Sequence, residues 1–293
     1  MIERVGFFHF VEAYEDPIGQ LAGCLGEKLA SGRTGESLIV LPEGFNLGRK
    51  YNVDSRCGDQ TKKKNPMFAA HCTLQILSGV AKARSLVFVV GLIDVDSIDG
   101  SKRNCAYFVD GISPPKLLCS KMNEDHSGEY EPCEVDCPCN NPLEVGDLHI
   151  GALLCIDAEW QSETDDRVKR AANDRRRDLL SKLGRENPGV LCVPGAFCTE
   201  RSWENLPDLS GKGVVVANSI ANRASTVVDN HGAVVHVVRK STNEVFLVEI
   251  GRVIGPGRGI PKPRTSSLPN SRRTRQREDR RPLGSDPPRS VTG

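Results

Sequence analysis

Short apolar runs rich in β-branched residues recur along the chain, separated by polar stretches. Runs of this composition, bounded by Gly, Pro, Asn, Asp and Ser, are typical of buried β-strands. In the eighth run, Asp229, Asn230 and Gly232 accept the backbone of a tight turn and predict a hairpin. The predicted strands cover residues 5–10, 37–41, 85–93, 105–109, 148–156, 189–193, 213–217, 225–238 and 244–250.

Helical patterns lie between many of these runs, at residues 17–30, 66–83 and 162–183. Alternation of strands and helices predicts an α/β sheet protein. The third helix is strongly charged and has only a loose apolar face. That face comprises Val168, Ala171, Ala172, Leu179, Leu180 and Leu183.

The composition changes at residue 255, where Pro, Arg, Ser and Gly replace the large apolar residues. Ten Lys or Arg against three Asp or Glu give this segment a charge of 10 − 3 = +7. We predict one domain over residues 1–254 and a disordered basic tail over 255–293. The tail has clustered arginines but no interleaved aromatic residue for base stacking, so we expect no nucleic-acid partner.

Bulk properties describe an ordinary globular protein: 293 residues, a net charge of +1 and a hydrophobic fraction of 38%. No apolar run reaches the roughly 18 residues that a membrane span needs, and the first residues lack a signal-peptide layout. We therefore expect a cytoplasmic protein with no membrane partner.

Eleven cysteines are many for such a chain, and several lie in apolar runs, where they are expected as buried thiols. Cys133, Cys137 and Cys139 crowd one loop, and a structural zinc there is conceivable. Their Cys-x3-Cys-x-Cys spacing lacks the second pair of a usual zinc site, so free or redox-sensitive thiols are the preferred interpretation. We expect no metal and no cofactor.

Three residues carry complementary chemistry: Glu43 follows an apolar run, Cys155 lies at the polar end of another, and Lys121 follows residues 105–109 after a Pro-containing stretch. A thiol needs a base for its proton, which Glu43 can supply. Attack on a carbonyl places negative charge on its oxygen, and Lys121 with the backbone N–H of Ile156 can stabilise that charge. The set predicts cleavage of a carbon–nitrogen bond through a thioester.

Three segments carry a family resemblance: residues 41–45 (Leu-Pro-Glu-Gly-Phe), 104–111 leading to Lys121, and 151–157 (Gly-Ala-Leu-Leu-Cys-Ile-Asp). Together they resemble the carbon-nitrogen hydrolase family, also called the nitrilase superfamily, and the similarity extends over residues 5–250. The resemblance implies a four-layer α-β-β-α sandwich, a Glu43–Lys121–Cys155 triad and a homo-oligomer.

A second active-site glutamate commonly follows the lysine in this family, and the resemblance favours Glu129 over Glu124 or Glu131, because its spacing from Lys121 is similar to that of the amidase branch. Two departures stand out. The lysine lies in an unusual context, which leaves Lys116 as a competing candidate, and Ala158-Glu159-Trp160 replaces the usual Phe-Pro-Glu.

The expected function is a thiol hydrolase that cleaves an amide or N-carbamoyl bond in a small, non-peptide substrate and releases ammonia or an amine. A nitrile is an alternative substrate, because its carbon can meet the same three groups. A hypothesis from another class is a catalytically inactive scaffold that binds partners through the same fold.

Overall fold

The computed structural model describes residues 2–10, 16–29, 36–46, 69–95, 102–122, 141–158, 167–183, 189–195, 212–218, 224–239 and 243–255. All of them belong to one compact unit, Met1–Ile260. The basic tail lies outside the described residues beyond position 255, so its disorder and the domain boundary stay predictions.

Two six-stranded mixed sheets form the centre of this unit. The first consists of β1 (Ile2–His9), β2 (Glu36–Leu41), β3 (Leu86–Val95), β4 (Lys102–Val109), β5 (Lys116–Ser120) and β12 (Glu244–Glu249). Their order is β12-β1-β2-β3-β4-β5, with β1, β2 and β3 parallel. Because β4 and β5 each pair antiparallel with the preceding strand, β5 runs in the same direction as β2.

The second sheet consists of β6 (Leu143–Val145), β7 (Leu148–Ala152), β8 (Gly189–Gly195), β9 (Lys212–Asn218), β10 (Ser225–Val228) and β11 (Val234–Val238). Their order is β11-β10-β9-β8-β7-β6, with β7, β8 and β9 parallel. The predicted hairpin corresponds to β10 and β11.

Alternate residues of both sheets fill the layer between them, as the two-residue period of a strand requires. Phe7 and Val40 of the first sheet and Val190 and Val215 of the second belong to this one buried cluster. The opposite faces are covered by helices. A separate apolar cluster joins α1 (Pro17–Leu29) and α2 (Ala70–Arg84) to the first sheet, and a third joins α3 (Arg167–Leu183) to the second. A short helix, α4 (Gly251–Ile254), follows β12.

This arrangement confirms the predicted fold class, an α-β-β-α sandwich. It also corrects the predicted strand at residues 148–156. β7 ends at Ala152, and Cys155–Ala158 forms a 3₁₀ helix. Cys155 has φ = 45°, a left-handed conformation that cannot continue a strand. The short strands β5 and β6 had no counterpart in the sequence prediction.

Candidate active site

Glu43 lies in a tight turn immediately after β2, and this turn is fixed to the neighbouring strand β3. The Phe45 N–H donates to the Gly91 carbonyl at 2.9 Å. The Asn46 side chain donates to the Ile93 carbonyl at 2.8 Å and accepts from the Ile93 N–H at 2.9 Å. Glu43 itself is 2% exposed, so the turn holds a buried carboxylate at the carboxyl end of the sheet.

Gly91 of β3 allows this close approach. A Cβ atom at that position would lie 2.8 Å from the Glu43 Cα and 2.9 Å from the Pro194 Cβ of β8. Contacts this short are repulsive, so glycine lets the Glu43 turn, β3 and the second sheet meet at one point.

Lys121 follows β5 and is the cation that contacts this carboxylate. Its Nζ donates to Glu43 Oε1 at 2.8 Å, and both side chains are almost fully buried. The Asn104 side-chain amide, on β4, donates to the same oxygen, while the Asn104 carbonyl accepts the Lys121 N–H at 2.8 Å. The competing candidate, Lys116, is exposed at the start of β5.

The two oxygens of Glu43 therefore have different surroundings. Oε1 accepts hydrogen bonds from both Lys121 and Asn104. Oε2 is buried and has no hydrogen-bond partner among the described residues. A buried acceptor without a partner is costly, so its presence calls for a functional explanation. Oε2 is the oxygen available to accept a proton.

Cys155 begins the 3₁₀ helix beyond β7 and is partly exposed. Two backbone hydrogen bonds fix the chain where it leaves the sheet. The Leu153 N–H donates to the Cys192 carbonyl at 3.1 Å, and the Asp157 N–H donates to the Leu154 carbonyl at 2.9 Å. A left-handed conformation at a non-glycine residue costs about 1–2 kcal/mol and is found at functional sites when its surroundings enforce it. Ile156 is the next residue of this helix. The first N–H groups of a helix have no acceptor within it.

A hydrogen bond joins the Cys155 segment to the Lys121 segment. Asp157 Oδ2 accepts the Met122 N–H at 2.7 Å. Asp157 is two residues after Cys155, and Met122 directly follows Lys121. Since Lys121 contacts Glu43, the structure brings together the strand ends that carry the three predicted catalytic residues.

Other predicted sites fall outside the described residues, namely Glu129, its alternatives Glu124 and Glu131, and the Cys133, Cys137 and Cys139 cluster. Within the described ranges, no group of three or more His, Cys, Asp and Glu side chains could hold a metal ion. No helix in those ranges is long and apolar enough to cross a membrane.

Sequence reasoning missed the contributions of Asn104 and Asp157 and the complete burial of Arg176 on α3. Asn104 and Asp157 lie inside the segments that carry the resemblance, yet only tertiary contacts reveal what they bind. Arg176 had a detectable signal. It lies four residues after Ala172 and three before Leu179, which places it on the apolar face of its helix.

Of the comparisons with known proteins, the one with solved structures supports this architecture. No protein-family model matches the chain, and no curated protein matches it. Among solved structures, the chain is similar to the NitN amidase from Nesterenkonia sp. AN1, with 18% identity, a TM-score of 0.58, and coverage of 84% of this chain and 92% of the amidase.

Two further solved structures are similar to the same degree. Nit3 from Saccharomyces cerevisiae, a member of branch 10 of the nitrilase superfamily, has 19% identity, a TM-score of 0.57, and coverage of 86% of this chain and 92% of Nit3. A carbon-nitrogen hydrolase from Helicobacter pylori G27 has 18% identity, a TM-score of 0.58, and coverage of 86% and 90%. The chain therefore has the fold of the carbon-nitrogen hydrolase, or nitrilase, superfamily.

Proposed function

We propose that this protein is a thiol hydrolase that cleaves the carbon–nitrogen bond of a small amide or N-carbamoyl substrate through a thioester on Cys155. The observation that carries the proposal is the buried carboxylate of Glu43. One of its oxygens is held by Lys121 and Asn104, and the other has no partner among the described residues. A similar solved structure supports the chemistry, because a variant of the Nesterenkonia amidase carries acrylamide added to its active-site cysteine.

In the first step, Glu43 Oε2 takes the proton of the Cys155 thiol as the sulfur attacks the carbonyl carbon. Position and burial both favour this role, since a general base must lie in a fixed geometry and keep its proton from bulk water. The hydrogen bonds to Oε1 prevent the carboxylate from turning away.

The attack converts the carbonyl oxygen into an oxyanion. Lys121 and the Ile156 N–H are the proposed donors to this oxyanion. Removing one such donor typically reduces kcat by about 10²–10³-fold. Lys121 thus has two roles: it compensates the charge of Glu43 in the resting protein, and it stabilises the oxyanion during the reaction.

Collapse of the tetrahedral intermediate breaks the carbon–nitrogen bond. Glu43 returns its proton to the departing nitrogen, so ammonia or an amine leaves and the acyl group stays on sulfur. A water molecule then gives a proton to Glu43 and attacks the thioester, which breaks the carbon–sulfur bond and restores the Cys155 thiol. Glu129 is proposed as a second glutamate of this site, and a homo-oligomer as the assembly.

The test is ammonia release from a panel of simple amides, N-carbamoyl amino acids and nitriles, measured for the wild type and for Cys155→Ala. We expect release from an amide or N-carbamoyl compound by the wild type and none by the variant. Circular dichroism of both proteins controls for folding.

Each result has a defined meaning. Release from nitriles alone would mean that the substrate is a nitrile and not an amide, hydrolysed by the same catalytic groups. Release that persists in Cys155→Ala would exclude Cys155 as the nucleophile. A folded wild type that acts on none of the compounds would favour the inactive scaffold.

A further inference from the structure

Helix α3 carries two consecutive arginines, Arg175 and Arg176, and the first of them contacts the segment that carries Lys121. Arg175 Nη1 donates to the carbonyl of Ser120, the residue before Lys121, at 3.3 Å. Arg176 has no exposed surface and donates to the Asn173 side chain at 2.7 Å. A fully buried arginine is rare and indicates a specific electrostatic partner.

Helix α3 packs against the 3₁₀ helix that contains Asp157, and the Asp157 carboxylate acts electrostatically on Arg176. Burial and the neighbouring Arg177 lower the pKa of the Arg176 guanidinium to about 10, and the Asp157 carboxylate opposes that shift. At neutral pH Arg176 is therefore still a cation. Asp157 is itself 5% exposed, so the two charges lie in the protein interior, where such charges require a counter-charge.

The hydrogen bonds of Asp157 connect the two catalytic segments. Its N–H donates to the Leu154 carbonyl and closes the 3₁₀ turn that contains Cys155. Its Oδ2 accepts the Met122 N–H at 2.7 Å, across the boundary between the two sheets. β5 and β7 face each other at this boundary.

We propose that Asp157 is a positioning residue, which holds the Lys121 segment against the Cys155 turn, with Arg176 as its counter-charge. This inference deepens the proposed function and rests on it for the catalytic roles of Lys121 and Cys155. Asp157 acts through its neighbours and not on the substrate.

The proposal predicts a loss in kcat rather than in substrate binding. A displacement of about 1 Å between a nucleophile and an oxyanion donor can cost about 10²-fold in rate. Substrate affinity depends chiefly on the pocket walls, so KM should change little when only this alignment is lost.

The first experiment compares Asp157→Ala with Asn230→Ala. Asn230 also makes a hydrogen bond from its side chain to a backbone group distant in sequence: its Nδ2 donates to the Ile254 carbonyl at 3.0 Å, in a part-buried position that follows β10. We expect Asp157→Ala to lower kcat by about 10–100-fold with KM within about threefold of wild type, and Asn230→Ala to leave both within about threefold. A kcat for Asp157→Ala equal to that of Asn230→Ala would overturn the proposal.

Asp157→Asn is the conservative variant, because its side-chain oxygen can still accept the Met122 N–H. It also keeps the proposal testable if Asp157→Ala does not fold. We expect it to retain a kcat at least about fivefold above that of Asp157→Ala, or, where that variant is unfolded, a kcat reduced from wild type with KM preserved. Equal kcat losses in both variants, matched by equal falls in Tm, would make Asp157 purely structural.

A matched pair on α3 tests the counter-charge. Arg176→Met should lower kcat about tenfold, since it leaves Asp157 buried without its cation. Arg177→Met should not, because Arg177 is exposed and pairs with Asp174 at 3.2 Å on the surface. Equal kcat values for the two variants would remove Arg176 from the proposal.

Modification of Cys155 by acrylamide, followed by peptide mass spectrometry, gives a readout that needs no turnover. A nearby cation favours the reactive thiolate, so displacing Lys121 in Asp157→Ala should slow the modification about tenfold relative to Asn230→Ala. Slower modification in a protein whose wild type hydrolyses nothing would keep the positioning role and reject the proposed function. Hydrolysis by the wild type with Asp157→Ala unchanged in both assays would reject the positioning role alone.

Discussion

Cys155 follows β7 and Cys192 lies in the adjacent strand β8, yet the two thiols differ in burial and in backbone conformation. The strands that precede and contain them, β7 and β8, are parallel and adjacent, and the Leu153 N–H donates to the Cys192 carbonyl at 3.1 Å. Cys192 continues its strand into the core between the sheets and is fully buried. Cys155 lies beyond the end of its strand, partly exposed, with φ = 45°.

This difference shows how backbone conformation separates a structural thiol from a reactive one. Regular strand pairing directs Cys192 into apolar surroundings, where desolvation raises the pKa of its thiol far above the usual range. Cys155 itself has a left-handed backbone conformation, which places it outside the apolar core. Its turn is hydrogen-bonded to the segment that carries the buried cation Lys121. A cysteine is thus inert within β8 and available for chemistry beyond the end of the adjacent strand β7.

Replacing each cysteine by alanine gives the largest expected contrast. Cys155→Ala should lower kcat by about 10⁴-fold or more, because no other group can form the thioester. Cys192→Ala removes a thiol that touches no reacting atom, so its kcat should stay within about threefold of wild type. Steady-state ammonia release measures both. Comparable losses in the two variants would mean that Cys192 also takes part in the reaction.

Thiol reactivity in the native protein provides a contrast that does not depend on the substrate. Iodoacetamide should modify Cys155 at least about 10³-fold faster than Cys192, since Cys192 reacts only after local or global opening that costs several kcal/mol. Peptide mass spectrometry over a time course gives both rates. In denaturant the two rates should converge, and a large native-state modification of Cys192 would show that its strand opens readily.

Replacing Lys116, at the start of β5, and Lys121, just after its end, tests which of the two lysines acts together with Cys155. Lys121→Met should lower kcat/KM by about 10²–10³-fold through loss of an oxyanion donor. Lys116→Met, at the exposed start of the strand, should leave kcat/KM within about twofold. Thermal unfolding should also separate them, because only Lys121→Met leaves Glu43 buried without its cation. A dependence on Lys116 instead would reverse the assignment of the lysine.

The smallest expected contrast is in stability. Cys192→Ser places a hydroxyl in the apolar core and should cost about 1–3 kcal/mol of unfolding free energy. Cys155→Ser exposes its hydroxyl to solvent in part and should cost less than about 0.5 kcal/mol. Urea unfolding followed by circular dichroism measures both values. An equally large cost at Cys155 would indicate that its turn contributes as much to stability as the core does.

Much of the fold could be predicted from the sequence, because buried strands produce continuous apolar runs and their order along the chain is read directly. The exit of the chain at Cys155 could not, since residues 148–156 are apolar almost throughout and give no sign of a left-handed backbone. Glu43 and Lys121 could be singled out as candidates from local context. Their contact could not, because it joins residues 78 apart through the pairing of four strands.

The inward position of Arg176 is an intermediate case. Its helical spacing places it on the apolar face, but the many arginines of α3 make that signal easy to overlook. Lys116 and Lys121 have similar sequence contexts. Burial in the structure distinguishes them, and it depends on where β5 begins and ends.

The unequal oxygens of Glu43 have a consequence for the order of events. On the proposed mechanism, Oε2 serves every proton transfer while Oε1 is held by Lys121 and Asn104. The thiol, the departing nitrogen and the incoming water must therefore each lie next to Oε2 in turn. The nitrogen product has to leave this position before water can occupy it. Any small nucleophile that reaches the vacated place first, such as hydroxylamine, would receive the acyl group, so the protein would act as an acyltransferase whose usual acceptor is water.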